Sequence, residues 1–275
     1  MFKKSKGDFI LNAMIILFCI CSLFPIYWLF SGSFKFSGDI VRIPPQWFPT
    51  NPTLANYRNI FLTNPAWRWI ANSLIVSVVS TAGIIFTSSA AGYVLSKVNF
   101  IGKRIIFGFV IATLILTLEV YLLPLFQMMV TLDWIGTLRG LIVPELVMPF
   151  GVFLLKQYYD SLPNELLEAA DMDGCGKIRF FWLIGMPLSK PAIGALAILA
   201  FIRVWNNYLW QFVMQRGRES FTLPVGVASL FDDPNVVDHG IRFAGASVAA
   251  IPLLIIFAIF QRFFTSGITA GSVKG

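Results

Sequence analysis

Residues 70–96 read IANSLIVSVVSTAGIIFTSSAAGYVLS, a run of 27 residues without a charged side chain. As a helix rising 1.5 Å per residue it would be about 40 Å long, enough to cross the ~30 Å hydrocarbon core of a bilayer. The run is rich in Ser, Ala, Gly and Thr, and small residues let helix backbones approach closely in lipid. We therefore predict a spanning helix packed in the protein interior, with a pore-lining helix as the alternative.

Similar apolar runs recur along the whole chain. Of 275 residues, 57% are hydrophobic and 13% are charged, against about a quarter charged in soluble domains. A transmembrane β-barrel would show alternating polarity and less hydrophobicity. We predict one all-α, polytopic membrane domain, residues 1–275, with about six spans near 9–33, 70–96, 104–127, 139–159, 192–214 and 243–265. Pro124, Pro144 and Pro149 predict kinks in the third and fourth spans.

The distribution of Lys and Arg predicts the orientation. Twelve of the 21 lie on the side of the N-terminus, eight on the other side, and Arg203 lies within the fifth span. Cytoplasmic segments of membrane proteins carry an excess of Lys and Arg, so both termini are predicted to lie in the cytoplasm and the long loops 34–69 and 215–242 outside. The Pro-rich loop 34–69 should be ordered and end in a short helix from about Thr53. The net charge of +7 is attributed to anchoring at the inner membrane face, with membrane lipid and not nucleic acid as the partner.

Residues 160–191, between the fourth and fifth spans, contain an acidic segment, LPNELLEAADMDG (162–174). Pro163 suits the first turn of a helix, and Glu165 would face the positive end of its dipole. A helix from Pro163 to about Asp173 would be about 16 Å long, too short to span a bilayer. Gly174 and Gly176 can supply the left-handed conformation that ends it. The segment therefore predicts a short helix on the membrane surface or in a partner.

One face of this short helix is predicted to be shallow. Residues three and four positions apart share a helix face, which groups Leu166, Ala169, Ala170 and Asp173. Two adjacent alanines would let that face enter a groove in another protein. A solvated surface helix is the alternative that periodicity leaves open.

Ionisable groups within spans are costly and suggest functional sites. Three are present, Glu119, Glu145 and Arg203. They are candidates for a substrate pathway, and a structural ion pair between an acidic residue and Arg203 is the alternative. The WNNYLW segment adds Asn206, Asn207 and Tyr208 as candidates, since amides and aromatic faces suit sugars. Anchoring of the aromatic residues at the membrane interface explains the same segment equally well.

No catalytic or metal-binding constellation is apparent. The Gly176-Lys177 pair lacks the Ser or Thr that follows it in a P-loop, and His239 is the only histidine, which excludes a His-based metalloprotease motif. The cysteines Cys19, Cys21 and Cys175 lack metal-ligand spacing. We therefore predict neither an enzyme nor a cofactor bound by this chain.

The segment EAADMDGCGKIRFFWLIGMP (168–187) resembles the EAA loop of binding-protein-dependent ABC transporter permeases. The matching residues are Glu168, Ala169, Ala170, Gly174, Ile184 and Pro187, with Met186 where the family usually has Leu. PPQWFPTNPTLANYRNIF in the first outer loop, WNNYLW and the closing GITAGSVKG resemble the carbohydrate-uptake subgroup, of the maltose-permease second-subunit type. The resemblance covers nearly the whole chain.

The resemblance implies a type I ABC importer permease fold in a bacterial cytoplasmic membrane. Residues of about 162–175 would be the coupling helix in a groove of an ATPase dimer, which would bind ATP and Mg²⁺. Glu165, Leu166, Glu168, Ala169, Ala170, Asp173 and Gly174 would form the ATPase contact. The other implied partners are a homologous second permease subunit, an external solute-binding protein and a sugar. Two alternatives are an importer of amino acids or peptides and a proton-coupled secondary transporter that uses Glu119 and Glu145.

Overall fold

The computed structural model of the protein describes residues 6–231 and 238–270, with the side chains of 9–231 and 238–259. Within those residues it is helical and has no strand, which confirms the all-α prediction. Lys3, Lys4 and the last five residues of GITAGSVKG lie outside the described residues. The α-helices are α1 Lys6–Ser33, α2 Ser37–Ile40, α3 Ala55–Thr63, α4 Ala66–Lys97, α5 Lys103–Thr113, α6 Leu118–Thr131, α7 Leu138–Ile142, α8 Pro149–Ser161, α9 Glu165–Met172, α10 Lys177–Phe180, α11 Met186–Leu188, α12 Lys190–Trp205, α13 Tyr208–Val213, α14 Leu223–Ser229 and α15 His239–Ala270.

Helices long and apolar enough to cross a membrane number four among the described residues. They are Phe9–Ser33, Ala66–Lys97, Leu138–Ser161 and His239–Ile259. Two bent pairs of helices, α5 with α6 and the segment Lys177–Leu188 with α12, raise the number to six if each pair is one span. The prediction of a polytopic membrane protein with about six spans is confirmed.

The third predicted span, 104–127, is not one kinked helix. Helices α5 and α6 meet at an angle of 101°, and the break lies at residues 114–117, whereas Pro124 lies inside α6. The large bend of this span therefore lies at residues 114–117 and not at Pro124. The last turn of α5 has 3₁₀ geometry, because the Leu114 amide donates a 3.1 Å hydrogen bond to the Ile111 carbonyl, three residues earlier. β-Branched Ile115 and Thr117 at the break are stiff side chains that favour helix weakly.

The fourth span is broken where its prolines predict. After α7, a 3₁₀ turn covers Val143–Leu146, and Met148 is extended before Pro149 begins α8. The fifth predicted span, 192–214, is wrong as a continuous helix, since α12 ends at Trp205 and α13 begins at Tyr208. Asparagine competes with helical hydrogen bonding through its side chain, and an Asn-Asn pair occupies the break.

The chain divides into two compact units, residues 1–67 with 226–252 and residues 68–225 with 253–275. In the first unit, the predicted ordered loop is present and ends in α3. The Asn56 amide donates to the Lys35 carbonyl over 2.8 Å, and the Lys35 ammonium donates to the Gln46 carbonyl over 2.5 Å. Burial lowers the pKa of the Lys35 amine, and the Asp39 carboxylate opposes this effect. These bonds hold the Pro-rich loop in place.

The second unit is built around close packing of α4 against α8. A methyl group added at Gly92 would lie 2.8 Å from the backbone nitrogen of Lys156, and one added at Gly151 would clash with the Ser88 hydroxyl. Ser73, Ser77 and several other small residues of α4 are buried, whereas Leu74 and Ile75 are exposed, so the small residues form the face that packs within the unit. The core continues through Leu155, Tyr159 and Leu196, all fully buried.

We expect Gly92→Ala to destabilise the protein by about 1–3 kcal/mol, since its methyl group meets backbone atoms of α8 that cannot move aside. Gly108→Ala is the matched control, because nothing lies within 4 Å of that added methyl group on the exposed side of α5. The control should be neutral or stabilising by about 0.5–1 kcal/mol. Thermal unfolding midpoints of the purified variants test this, and equal midpoints for the two would contradict the close packing.

Candidate functional site

The acidic segment forms the helix α9, which begins at Glu165 and ends at Met172. Both Glu165 and Glu168 lie in its first turn, where carboxylates interact favourably with the helix dipole. Asn164 occupies the N-cap position without capping through its side chain. With eight residues, α9 is about 12 Å long. Its length agrees with the prediction of a helix too short to span a bilayer.

Helix α9 presents Leu166, Ala169 and Asp173 on its exposed side. Met172 is 89% exposed, which adds apolar surface to this side of the loop. Ala170 is only 6% exposed and belongs to the core of the chain's own second unit. The prediction that Ala170 shares the outward face was therefore wrong. Successive residues of a helix lie about 100° apart around its axis, so Ala170 points inward while Ala169 points outward. Only Ala169 is therefore free to meet a partner.

Gly174 ends α9 in the left-handed region, with φ of +72°. This confirms one of the two glycines predicted to end the helix. Gly176 has φ of −62° and ψ of 157°, an extended conformation open to any residue, and it precedes α10. The prediction that Gly176 also supplies left-handed backbone was wrong.

A β-branched side chain at Gly174 should deform the end of α9 through the backbone alone, because nothing lies within 4 Å of an added Cβ. For the importer permease that the sequence resembles, we expect Gly174→Val to lower transport and Gly174→Asn to be tolerated, since Asn accepts left-handed φ. Gly102→Val is the matched control, because Gly102 has φ of +88° and equally open space outside this loop. Transport assays on equal amounts of inserted protein test this, and equal losses at both positions would contradict a special role for the end of α9.

The second candidate region is a cluster of polar side chains between broken helices. Glu145, on the 3₁₀ turn of the fourth span, is 5% exposed. Its carboxylate lies 3.2 Å from the Arg203 guanidinium on α12 and accepts a 2.5 Å hydrogen bond from the Asn207 amide. Asn207 also accepts from the Trp210 amide and so caps α13. One carboxylate therefore holds together the breaks in the fourth and fifth spans.

A cavity of about 540 Å³ adjoins this cluster. The break between α5 and α6 contributes Leu114 and Leu116 to its lining, and Glu145 and Arg203 line it as well. Tyr121 and Trp210 add aromatic surface. Irregular backbone at membrane depth is tolerated where it is buried in protein or lines a water-filled cavity. The three breaks are thus consistent with a pathway for a polar solute.

The structure brings together three of the six predicted pathway residues, Glu145, Arg203 and Asn207. Glu119 lies exposed on the first turn of α6, and Asn206 and Tyr208 are exposed as well. Among the described residues, no hydrogen bond or ion pair joins these three side chains to Glu145. The ion pair left open as the alternative for Arg203 is formed, and it lies at the cavity wall.

Sequence reasoning missed the residues that attach α9 to the rest of the unit. Lys97, at the last position of α4, donates to the Leu162 carbonyl and to the Asn164 side chain. A lysine at a helix C-terminus commonly bonds nearby carbonyls, which was the available signal. Tyr121 in the cavity wall was missed too, because nothing in its spacing distinguishes it from a core or interfacial residue. Trp210, also in the wall, belongs to the WNNYLW segment whose aromatic faces were predicted to suit a sugar.

Residues 83–270 match the family model described as binding-protein-dependent transport system inner membrane component. This chain belongs to that family. The permease is 38% identical to the arabinooligosaccharides transport system permease protein of Bacillus subtilis (strain 168), covering 96% of this chain and 95% of the relative. It is 32% identical to the diacetylchitobiose uptake system permease protein of Streptomyces coelicolor, covering 96% of each chain.

A third relative of the permease is the trehalose/maltose transport system permease protein of Thermococcus litoralis, 30% identical with 94% of each chain covered. Among solved structures, a chain of a bacterial ABC transporter involved in alginate import has a TM-score of 0.84 at 24% identity. That alignment covers 96% of this chain and all of the other. The predicted type I ABC importer permease fold is confirmed.

Family membership makes the permease a multi-pass membrane component of a transport system, and not an enzyme. The proton-coupled secondary transporter is not favoured, since the family works with binding proteins. The pairing of Glu145 with Arg203 also gives that carboxylate a structural role.

Proposed function

We propose that this permease is one of two homologous membrane subunits of an ATP-driven oligosaccharide importer in a bacterial cytoplasmic membrane. An external solute-binding protein delivers the sugar, and a cytoplasmic ATPase dimer binds ATP and Mg²⁺. The observation that carries the substrate class is that three relatives aligned over nearly their whole length are named for arabinooligosaccharides, diacetylchitobiose and trehalose/maltose.

Helix α9 is the proposed ATPase contact. Its exposed carboxylates Glu165 and Glu168 face away from the unit core, and Glu168 meets a basic side chain of the ATPase groove. Leu166, Ala169 and Asp173 form the surface that enters the groove, where the single methyl group of Ala169 allows close approach. Gly174 supplies the turn, and Ala170 fixes the helix from behind. Both termini are proposed to be cytoplasmic, as the distribution of Lys and Arg predicts.

The cavity beside Glu145 and Arg203 is the proposed part of the sugar pathway. Its wall combines a guanidinium group with the rings of Tyr121 and Trp210. Sugar hydroxyls hydrogen-bond to such polar groups, and the apolar face of a sugar ring packs on aromatic side chains. The paired charges of Glu145 and Arg203 leave this wall without net charge, which suits a neutral sugar.

Reconstitution of the permease with its ATPase, the second permease subunit and the binding protein tests the proposal. Labelled arabinose, chitobiose and maltose oligomers are supplied outside proteoliposomes, with ATP inside. Uptake of at least one sugar should depend on ATP and on the binding protein, and it should persist with a protonophore. Collapse of uptake with the proton gradient while ATP is constant would overturn it, and uptake of peptides or amino acids alone would overturn the sugar assignment.

A further inference from the structure

The chain turns back along α1 after that helix ends at Ser33. Residues 43–49, which we call the returning segment, place Trp47 beside two aromatic residues of α1. The centroid of the Trp47 ring lies 5.9 Å from that of Phe24 and 6.1 Å from that of Trp28. Phe24 and Trp28 precede the end of α1 by about 14 and 8 Å along the helix axis. The returning segment therefore lies beside the last turns of α1 and not beyond its end.

Hydrogen bonds from side chains at the end of α1 hold the returning segment in this place. The Trp47 carbonyl accepts from the Tyr27 hydroxyl over 2.5 Å and from the Ser31 hydroxyl over 3.2 Å. The neighbouring Gln46 carbonyl accepts from the ammonium group of Lys35, a residue that is only 1% exposed. Two successive backbone carbonyls of the segment are therefore satisfied by the chain itself.

The composition of the returning segment suits a place with little water. Its sequence is IPPQWFP, and Pro44, Pro45 and Pro49 have no backbone N–H group to satisfy. The carbonyls of Gln46 and Trp47 already have donors. Backbone groups without a partner are costly in lipid, where water cannot bond them. The segment thus carries fewer groups that need water than an ordinary loop of the same length.

The side chains of the returning segment are apolar and open to the surroundings. Ile43 is 92% exposed, Trp47 56% and Phe48 72%. The Phe48 ring packs edge-on against the Tyr27 ring of α1, with 5.9 Å between centroids. Exposed apolar patches mark contacts with membranes or other proteins. Trp and Tyr in particular are enriched where membrane meets water, because their rings are apolar and carry one polar group.

The length of α1 sets the depth of the returning segment. The candidate span Phe9–Ser33 has 25 residues and a mean hydropathy of 2.5, and none of its most apolar stretch is buried within the chain. At about 38 Å it exceeds the ~30 Å hydrocarbon core by about 8 Å. If the span is centred, Trp28 and Phe24 lie about 4 and 10 Å inside the hydrocarbon boundary. Amphipathic segments that lie in a membrane interface occupy a similar depth, about 5–10 Å.

We propose that the returning segment is a membrane-interface element, embedded in the leaflet at the Ser33 end of α1. Its partner is bilayer lipid, with Trp47 and Phe48 at the boundary between headgroups and acyl chains. The bonds from Tyr27, Ser31 and Lys35 keep its carbonyls satisfied there. The segment fixes the depth of α1 and holds the Pro-rich loop close to the membrane surface. This inference does not depend on the solute carried or on the ATPase.

A spin label at position 48 tests this placement. Cysteine replaces Phe48 in a chain whose three native cysteines are changed to Ser, and a nitroxide is attached. The permease is placed in lipid vesicles with any subunits that copurify with it. Electron paramagnetic resonance then compares collisions of the label with oxygen, which concentrates in lipid, and with a water-soluble nickel chelate. Matched labels replace Ile20, exposed near the middle of α1, and Asn51, exposed just after the returning segment.

Oxygen collisions should exceed chelate collisions at positions 48 and 20, and the reverse should hold at position 51. Chelate collisions at position 48 as frequent as at position 51 would place the segment in water and overturn the proposal. Protection of position 48 from both reagents would overturn it as well, because protein, such as a second permease subunit, would then cover the segment in place of lipid.

Removal of the donors on α1 tests how the segment is held. The double variant Tyr27→Phe/Ser31→Ala leaves the Trp47 carbonyl without either donor, so the segment should shift toward water. Chelate collisions at position 48 should then rise toward those at position 51. Tyr57→Phe is the matched control, because the Tyr57 hydroxyl bonds to Ser33 and not to the segment. Unchanged collisions in the double variant would overturn the claim that these bonds hold the segment at its depth.

Discussion

Glu168→Lys is expected to leave the permease inserted in the membrane while lowering ATP-driven uptake by about tenfold or more. Glu168 is exposed, and among the described residues no ion pair within the chain uses it. A hydrogen bond to a charged group contributes about 1.5–3 kcal/mol, and each 1.4 kcal/mol is tenfold in binding. Charge reversal on the surface proposed to enter the ATPase groove should therefore weaken the complex. Uptake and copurification of the ATPase, measured on equal amounts of inserted permease, test this.

Two controls separate the partner contact from damage to α9. Lysine in the first turn opposes the helix dipole, at a cost of about 0.3–1 kcal/mol. Glu168→Gln removes the charge without adding an opposing one, so its loss of uptake should be intermediate. Acidic substitutions selected in the ATPase groove should restore uptake to Glu168→Lys. Normal copurification together with full uptake in Glu168→Lys would contradict the role given to Glu168.

Glu145→Ala is expected to destabilise the second unit and to lower uptake. It leaves the Arg203 guanidinium and the Asn207 amide without their shared acceptor, at the junction of two broken spans. The Arg203 side chain is 39% exposed, so the cost should be about 2 kcal/mol, between that of an exposed and a buried pair. The thermal midpoint should fall by about 4–8 °C, and uptake should fall with it.

The double variant Glu145→Ala/Arg203→Met distinguishes an unpaired charge from a lost cavity wall. Removal of both charges leaves nothing unpaired, so its thermal midpoint should lie above that of Glu145→Ala alone. The single variant Arg203→Met is measured as well. If Arg203→Met destabilises the Glu145→Ala protein as much as it destabilises the unsubstituted protein, the two side chains do not interact and the role assigned to the pair is wrong.

The membrane spans could be predicted from the sequence because hydrophobic length is a local property of the chain. The run 70–96 lies within α4, and the run 9–33 lies within α1. The breaks were harder to predict. Pro144 and Pro149 marked theirs, but α6 continues through Pro124, and the break at 114–117 contains neither Pro nor Gly. A proline removes a helical bond, yet neighbouring groups decide whether the helix bends.

The candidate sites were predictable only where chemistry and local position coincide. Gly174 could be recognised from its place after a helix, and its φ confirms the prediction. Helical spacing placed Ala169 and Ala170 together, whereas the packing of α9 against its own unit turns Ala170 inward. The position of Lys97 at the end of α4 indicates that it bonds a carbonyl, but its partner Leu162 lies 65 residues away, so no local pattern could identify that partner.

Photo-cross-linking from position 169 shows whether α9 contacts the ATPase. A photoreactive amino acid replaces Ala169 in the assembled transporter, and a second variant carries it at Leu74, on the exposed side of α4. We expect a covalent adduct with the ATPase from position 169 and none from position 74. Absence of an ATPase adduct from position 169 in a transporter that still takes up sugar with ATP would contradict the account.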